Sequence, residues 1–299
     1  MNALVIANPA AGKANNKSAV EVIRRALRLR GYGCDTAYTH CANDAENIAR
    51  RRAGGYALVI CLGGDGTLNE TINGLNGLKS CPPVAYLPAG TTNDFAKSLG
   101  LSTDVSRALN DIFNGKKQKL DIGKMNGRCF VYVASFGFLS ESSYLTPAWL
   151  KKRIGRAAYI LEGTRELPFT RSYHMKVFDD GKKVCEGDYV FGAVSNSTCI
   201  GGLLHYGGSE VDLSDGLHEV ILVEKPASPR RLINIFRALK NKRFDYDGIT
   251  LFHSKHVRFE CDEKLSWSLD GEKRDPGKTV EIENIPSAIE FFIPQKGKK

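Results

Sequence analysis

The amino-acid sequence predicts an α/β protein in which a doubly wound parallel-sheet domain precedes an antiparallel β-sandwich domain. In the first 115 residues, short apolar segments alternate with segments of helical periodicity. That alternation is typical of a parallel sheet with right-handed crossovers. After Gly115, strand-like segments follow one another with few helices between them. Such a series favours an antiparallel sandwich or barrel.

The elements of the first domain follow from the spacing of their apolar residues. Short apolar runs that end at turn residues predict strands, here residues 4–7, 34–39, 57–62 and 84–87. Apolar residues at helical spacing predict helices, here residues 19–27, 43–52 and 68–75. Asn43, followed by Glu46 three residues later, resembles a capping box at the start of the second helix.

The second half of the chain is dominated by strand-like segments. The predicted strands are residues 119–125, 128–135, 173–179, 183–195, 217–224, 256–261, 264–269, 279–283 and 288–293. Two helical stretches interrupt them, at residues 147–166 and 229–241, and Asp180-Gly181 is a hairpin turn signal. We therefore predict one domain at residues 1–125 and a β-rich domain at residues 126–285, with residues 286–299 returning to the first domain.

Size and composition narrow the class of protein. The 299 residues are enough for two domains, and 42% hydrophobic with 25% charged residues is typical of a soluble globular protein. No apolar run approaches the length of about 20 residues that a membrane span needs. The first residues do not resemble a signal peptide. Eight scattered cysteines without a C-x-x-C pair indicate reduced thiols in a cytosol.

The formal net charge of +9 indicates a basic surface. Such a surface can meet a nucleotide, a nucleic acid or anionic lipid headgroups. No nucleic-acid recognition motif accompanies the charge, so we predict no nucleic-acid partner.

The most informative stretch is residues 61–70, with the sequence CLGGDGTLNE. A buried strand leads into a glycine-rich turn, and a helix follows. Glycines lack a Cβ atom, so backbone N–H groups can approach phosphate oxygens closely, and a helix start adds unpaired N–H groups. A carboxylate beside phosphates is repelled unless a cation lies between them. Asp65 therefore indicates Mg²⁺ chemistry in addition to phosphate binding.

Two further turns follow predicted strands in the same way. They are residues 8–13, NPAAGK, and residues 88–96, PAGTTNDFA. The first is not a Walker A loop, because the spacing G-x-x-x-x-G-K-[ST] is absent. Ligands of doubly wound sheets bind outside the carboxyl ends of the strands. We therefore expect all three turns to converge on one crevice.

Four segments, NPAAGK, GGDGTLNE, PAGTTNDFA and SLDGE at residues 268–272, resemble in order and spacing the soluble diacylglycerol kinase/sphingosine kinase family of lipid kinases. The similarity is greatest to the bacterial diacylglycerol kinases and YegS-type lipid kinases, and it spans nearly the whole chain. The resemblance implies ATP-dependent phosphorylation of a lipid hydroxyl, such as that of diacylglycerol, in phospholipid metabolism. It also implies that the first domain binds the nucleotide and the β-rich domain binds the lipid.

The resemblance also assigns residues to the nucleotide. The residues that would contact ATP are Asn8, Gly12, Lys13, Thr39, Gly63, Gly64, Asp65, Gly66, Thr67, Leu68, Asn69, Glu70, Thr91, Asn93 and Asp94. Among them, Asp65 and Asp94 are similar to acidic residues that organise Mg·ATP, and Asp121 is a third candidate.

The Asp270-Gly271-Glu272 segment matches the family's catalytic signature. A lipid hydroxyl is a poor nucleophile, and a positioned carboxylate can take its proton during phosphoryl transfer. Glu272 is the predicted base, and Asp270 is either an alternative base or an organiser of water. Asp65 completes the predicted catalytic set.

The resemblance further implies a structural Mg²⁺ site at Asp212, Asp215 and Leu217. Oxygen-only ligation, partly through backbone oxygens, suits this hard cation. The sequence departs from the family pattern here. Leu203-Leu204 follows the preceding glycine pair, and Gly207-Gly208-Ser209 replaces the usual proline.

Residues 149–159, WLKKRIGRAAY, combine apolar, aromatic and basic residues. This pattern fits a helix on an anionic membrane surface, and it fits equally a core helix with one solvated basic face. We predict a cytoplasmic protein that associates peripherally with the membrane. The sequence leaves open whether it is a homodimer and which lipid it phosphorylates.

The sequence is also compatible with two alternative functions. NAD kinases carry a related GGDGT loop, so a NAD kinase-like enzyme is one of them. The other is a nucleotide- or lipid-binding regulatory protein without turnover, which the intact Asp65, Asp94 and Glu272 disfavour.

Overall fold

A computed structural model describes residues 1–12, 16–137, 171–196, 199–200, 204–205 and 213–295. Four predictions lie outside these residues: Lys13, Asp212, the helix at residues 147–166 and the basic stretch at residues 149–159 within it. The chain divides into two compact units. Unit 1 comprises Met1–Ile122, Arg128–Val131 and Ile285–Lys299, and unit 2 comprises Gly123–Gly127 and Tyr132–Asn284.

Unit 1 contains a parallel sheet that is covered on both faces. Its strands are β1 (Asn2–Ala7), β2 (Gly33–Tyr38), β3 (Leu58–Gly63) and β4 (Val84–Pro88), in the spatial order β4-β3-β1-β2. Every residue of β3 and β4 is buried, because helices cover both faces of a parallel sheet. The predicted doubly wound fold is confirmed.

Five helices of unit 1 alternate with or follow these strands. They are α1 (Asn16–Arg28), α2 (Asp44–Arg52), α3 (Asp65–Leu75), α4 (Asp94–Leu99) and α5 (Val105–Phe113), and a 3₁₀ turn (Ala53–Gly55) follows α2. Helix α5 was not predicted. Helix α3 begins at Asp65, three residues before the predicted start at Leu68. The first residue of the helix therefore lies within the glycine-rich turn.

The predicted capping box at the start of α2 is wrong. Asn43 has a left-handed backbone (φ 67°) and its side chain makes no cap hydrogen bond. Glu46 pairs instead with Arg50 and Arg128. Two backbone N–H groups at this helix start, those of Asn43 and Ala45, donate to the carboxylate of Glu70 at 2.8 and 3.1 Å. A carboxylate from another helix thus replaces the local cap.

The remaining strands are mostly antiparallel. They are β5 (Lys116–Met125), β6 (Arg128–Phe130), β7 (Val133–Gly137), β8 (Tyr173–Asp179), β9 (Lys182–Ser195), β10 (Cys199–Ile200), β11 (Leu204–His205), β12 (His218–Glu224), β13 (Ile249–Ser254), β14 (His256–Cys261), β15 (Trp267–Leu269), β16 (Glu272–Arg274) and β17 (Thr279–Ile293). Within unit 2 the order is β16-β15-β7-β9-β8-β14-β17, and β12 pairs with β9 and β13. Helix α6 (Pro229–Lys240) agrees with the predicted helix at residues 229–241.

Three of the predicted strands differ in the tertiary structure. The predicted strand at residues 128–135 is divided into β6 and β7, because the chain passes from unit 1 to unit 2 between Val131 and Tyr132. The two predicted C-terminal strands are one continuous strand, β17, which leaves unit 2 after Asn284 and continues in unit 1. Its Phe291 pairs with Val84 of β4 in parallel.

The core of unit 2 is aromatic. Phe136, Phe259 and Trp267 pack against one another with ring centroids 5.0–6.2 Å apart, and Tyr173 meets Phe136 edge-on. Such tilted arrangements match the electrostatics of aromatic rings. Among the helices that the structure describes, none is long and apolar enough to span a membrane.

Candidate functional site

The three glycine-bearing turns of unit 1 lie against one another. Gly12 has a positive φ of 72°, and a Cβ atom there would lie 2.1 Å from the carbonyl oxygen of Ala89. A Cβ atom at Gly90 would lie 2.6 Å from the Cα atom of Gly64. Only glycine permits such close backbone approach. The turns after β1, β3 and β4 therefore pack against one another. We call these three turns, which contain Gly12, Gly64 and Gly90, the glycine corner.

Replacing Gly90 by alanine tests this packing. The new methyl group meets backbone, which cannot rotate away, so Gly90→Ala is expected to lower the free energy of unfolding by about 1–3 kcal/mol. Gly54→Ala is the matched control, because a Cβ atom at Gly54 has no neighbour within 4 Å. Urea unfolding of both variants measures the difference. Equal stability of the two variants would contradict the close contact.

Side chains join the same turns. The amide of Asn8 donates to the hydroxyl of Thr67 at 3.1 Å. Asn93 accepts from the N–H of Gly90 at 3.0 Å and donates to the carbonyl of Gly90 at 2.8 Å. Its left-handed backbone (φ 49°) is a conformation that asparagine tolerates better than most residues. The convergence that the sequence predicts is thus present within unit 1.

Asp65 connects the turn after β3 to the start of α4. Its Oδ2 accepts from the backbone N–H of Asp94 at 3.0 Å. Burial raises the pKa of the Asp65 carboxyl, while the N–H groups of Asp94 and Phe95 oppose the shift. A largely buried carboxylate that keeps a raised pKa is costly to ionise, and a nearby cation would remove that cost.

Tyr86 lies beneath this corner and was not predicted from the sequence. Its hydroxyl oxygen is 3.4 Å from Oδ1 of Asp65 and 3.4 Å from Oδ1 of Asn93. Burial and the neighbouring Asp65 raise the pKa of Tyr86, so the phenol keeps its proton. Lys97 donates to Oδ1 of Asp94 at 2.9 Å, which places one cation beside the two carboxylates.

Three later residues of the GGDGTLNE segment, Leu68, Asn69 and Glu70, contact other parts of unit 1. Leu68 is buried in the core. Asn69 is buried and donates to the carbonyl of Cys129 at 3.0 Å, and Glu70 accepts from two backbone N–H groups at the start of α2.

The other predicted nucleotide contacts differ in their exposure to solvent. Thr39 is buried at the end of β2, whereas Thr91 is exposed. Gly63 is the last residue of β3, and Gly66 lies in the first turn of α3. Nucleotide contacts by these residues stay predictions.

The Asp270-Gly271 segment is a tight hairpin turn in unit 2. Leu269 of β15 pairs with Glu272 of β16, which leaves two residues in the loop. Their φ angles are 48° and 90°, and two left-handed residues in a two-residue loop are typical of a type I′ turn. Asp and Gly are favoured residues for that turn, so the backbone alone explains part of this motif.

The two carboxylates of this hairpin have different surroundings. Asp270 is 3% exposed, and its Oδ1 accepts from the backbone N–H groups of Tyr132 at 3.0 Å and Val133 at 3.1 Å. The Glu272 side chain is 39% exposed, and its Oε2 accepts from Arg274 at 2.9 Å. Only Glu272 is therefore open to a substrate from solvent.

The other predicted acidic residues that the structure describes, Asp121 and Asp215, both accept hydrogen bonds from backbone N–H groups. Asp121 is buried, and its Oδ1 accepts from the N–H of Ser287 at 2.6 Å. Asp215 is exposed and accepts from the N–H of Leu217 at 2.9 Å. Within the described ranges, no three His, Cys, Asp or Glu side chains are grouped closely enough to hold a metal ion. Asp212 lies outside those ranges, so the structural Mg²⁺ site stays a prediction.

Comparison with known families matches both halves of the chain. Residues 2–125 match the diacylglycerol kinase catalytic domain, and residues 142–293 match the YegS C-terminal NAD kinase beta sandwich-like domain. With the two-unit fold and the glycine corner, these matches define the protein as a lipid kinase, an enzyme that transfers phosphate to an alcohol. The predicted C-terminal β-sandwich class is confirmed as well.

Sequence identity to known proteins shows the family of this chain. The chain is 32% identical over 298 residues to the diacylglycerol kinase of Bacillus subtilis, over 98% of this chain and 97% of that protein. It is 34% identical over 294 residues to the diacylglycerol kinase of Staphylococcus aureus strain MRSA252, over 98% and 92% of the two chains. This chain belongs to the diacylglycerol kinase family, and the resemblance seen in its sequence is confirmed.

Solved structures agree with this family. A crystal structure of a candidate diacylglycerol kinase from Bacillus anthracis has a TM-score of 0.83 and 26% identity, and covers 98% of this chain and 95% of its own. An NAD kinase from Archaeoglobus fulgidus in complex with ATP has a TM-score of 0.55 and 14% identity, over 99% and 95% of the chains. The second likeness is one of fold alone.

Proposed function

We propose that this lipid kinase transfers the γ-phosphoryl group of ATP to the hydroxyl of a lipid alcohol, with diacylglycerol as the first candidate. The observation that carries the proposal is the corner at Gly12, Gly64 and Gly90, where three turns converge beside Asp65 and Asp94. Relatives over nearly the full length are named diacylglycerol kinase, which supports the choice of substrate.

The corner suits a triphosphate and its cation. Glycine backbone leaves room for phosphate oxygens beside N–H groups. Asp65 and Asp94 offer oxygen atoms, the ligand type that Mg²⁺ prefers, and burial of Asp65 is more favourable beside a cation. These two residues would hold Mg²⁺. When bound, Mg²⁺ neutralises charge on the phosphate oxygens. Asn8, Thr67 and Asn93 hold the turns at fixed positions around the phosphates.

Glu272 is the proposed base. Its carboxylate takes the proton of the lipid hydroxyl as the lipid oxygen forms a bond to the γ-phosphorus. The bond from that phosphorus to the bridging oxygen breaks, and ADP leaves with the electron pair. Exposure of Glu272 and burial of Asp270 favour this division of roles. Asp270, already bound to two backbone N–H groups, holds the hairpin in place.

The lipid reaches the enzyme from a membrane surface, and the protein is proposed to associate with that surface peripherally from the cytoplasm. Its formal charge of +9 supports attraction to anionic headgroups. A structural Mg²⁺ at Asp212, Asp215 and Leu217 belongs to the same proposal, because backbone and carboxylate oxygens suit this ion.

A transfer assay tests the function. The full-length protein is incubated with γ-labelled ATP, Mg²⁺ and mixed micelles that contain diacylglycerol, phosphatidylglycerol or a long-chain base, and with NAD in a separate reaction. We expect label in phosphatidic acid and none above background in NADP. Label in NADP alone, or ATP binding without transfer to any acceptor, would overturn the proposal.

A further inference from the structure

Two asparagines of α3 hold the short strand β6. The side chain of Asn73 makes a pair of hydrogen bonds with the backbone of Cys129. Its Nδ2 donates to the carbonyl at 3.0 Å, and its Oδ1 accepts from the N–H at 2.9 Å. Asn69 donates to the same carbonyl at 3.0 Å. We call Asn69, Asn73 and the Cys129 backbone the amide clamp.

The amide clamp is buried and well supported. Asn69 and Asn73 are one helical turn apart, and Nδ2 of Asn73 also donates to the carbonyl of Asn69 at 2.9 Å. Arg128, the residue before Cys129, pairs with Glu46 of α2. Hydrogen bonds shielded from water rigidify the groups that they join. Strand β6 is therefore held to both α2 and α3 of unit 1.

The hairpin that carries Glu272 is held by the residues that follow β6. Val131 belongs to unit 1, and Tyr132, the next residue, belongs to unit 2. The N–H groups of Tyr132 and Val133 both donate to Oδ1 of Asp270. Only two residues, Phe130 and Val131, thus separate the clamped Cys129 from Tyr132, the first of the two residues whose amides hold Asp270.

We propose that Asn73 is a positioning residue for phosphoryl transfer. By holding Cys129, it restrains the chain segment that runs on to Tyr132 and Val133, whose amides bind Asp270 in the hairpin that carries Glu272. The inference rests on the proposed role of Glu272 as the base. Helix α3 begins at Asp65, which lies beside the glycine corner, and the same helix carries both asparagines of the amide clamp.

Asn73→Ala tests the proposal, with Asn126→Gly as the matched control. Asn126 likewise binds backbone through both side-chain atoms, donating to the Thr279 carbonyl and accepting from the Glu281 N–H. Its φ of 44° suits glycine, so the control removes the same chemistry without backbone strain. Hydrogen exchange is followed at Tyr132 and Val133 without nucleotide, and kcat and KM are measured with ATP and diacylglycerol.

In the Asn73 variant we expect exchange at Tyr132 and Val133 to accelerate about tenfold or more, because a local restraint is lost. We expect kcat to fall about tenfold, with KM for ATP changed less than about threefold, since a small displacement of a catalytic group lowers the rate of the chemical step. The Asn126 control should change neither quantity.

Unchanged exchange at Tyr132 and Val133 in a folded Asn73→Ala protein would overturn the proposal, as would an unchanged kcat. Should that variant not fold, the isosteric Asn73→Asp decides, since it keeps an oxygen for the Cys129 N–H and loses the donor. The exchange measurement does not depend on turnover. A wild-type protein without lipid kinase activity would therefore refute the proposed function while the exchange result still tests the clamp.

Discussion

Glu272→Gln is expected to lower kcat for lipid phosphorylation by about 10²–10⁴-fold, the range that loss of a general base usually costs. The amide keeps the size of the side chain and can still accept from Arg274, but it cannot take a proton from the lipid hydroxyl. Because Glu272 lies at a partly exposed position, the thermal midpoint should change little. Steady-state kinetics with labelled ATP and differential scanning fluorimetry measure the two quantities.

Glu263→Gln is the matched control for this substitution. Glu263 is also a partly exposed glutamate of unit 2 paired with an arginine, Arg171, and its side chain is 43% exposed. Removing its charge should leave kcat unchanged. If Glu272→Gln kept the wild-type rate, Glu272 would not be the base, and Asp270→Asn would become the variant to test.

Asp65→Asn is expected to lower kcat/KM about 100-fold or more, since loss of a preorganised charge beside the phosphates is usually that costly. The remaining carbonyl oxygen of the side chain can still accept from the N–H of Asp94. The Mg²⁺ concentration needed for half-maximal rate should rise as well. Asp35→Asn is the control, because Asp35 also accepts from a tyrosine hydroxyl, that of Tyr56, but is exposed.

The same variant should be at least as stable as the wild type near neutral pH without nucleotide. The pKa of Asp65 is raised in the folded protein, so the unfolded chain ionises this group more readily. Ionisation of Asp65 therefore favours the unfolded state once the pH rises above 3.8, the ordinary pKa of an aspartate. We expect the midpoint of Asp65→Asn to exceed that of the wild type at pH 7.5, and the difference to vanish near that ordinary pKa.

Thermal melts of both proteins across this pH range measure the difference. If the thermal midpoint of Asp65→Asn exceeded that of the wild type most at acidic pH, the pKa of Asp65 would not be raised in the folded protein. Addition of Mg·ATP should reverse the order, because only the wild type gains the cation contact and a ligand stabilises the form that binds it.

Several features of the site were accessible from the sequence because their signals are local. Gly64 and Gly90 mark turns at the ends of buried strands, and strand ends of a parallel sheet lie along one edge. Asp180-Gly181 predicts its hairpin by turn chemistry alone, and β8 and β9 flank it as expected. The capping box at Asn43 failed because a carboxylate 27 residues away, that of Glu70, binds the Asn43 N–H that Glu46 would accept from in such a box.

The amino-acid sequence by itself determined the class of this protein: an α/β unit with phosphate-type turns, an antiparallel unit and membership in the lipid kinases. Periodicity and turn residues predict the two units within a few neighbouring positions, and the resemblance of four short segments to a known family predicts the membership. Only the tertiary structure decided that Asp270 is buried against the amides of Tyr132 and Val133 while Glu272 is exposed, and that Asn73 holds Cys129. Those roles depend on contacts between residues 56 to 138 positions apart, which no local pattern encodes.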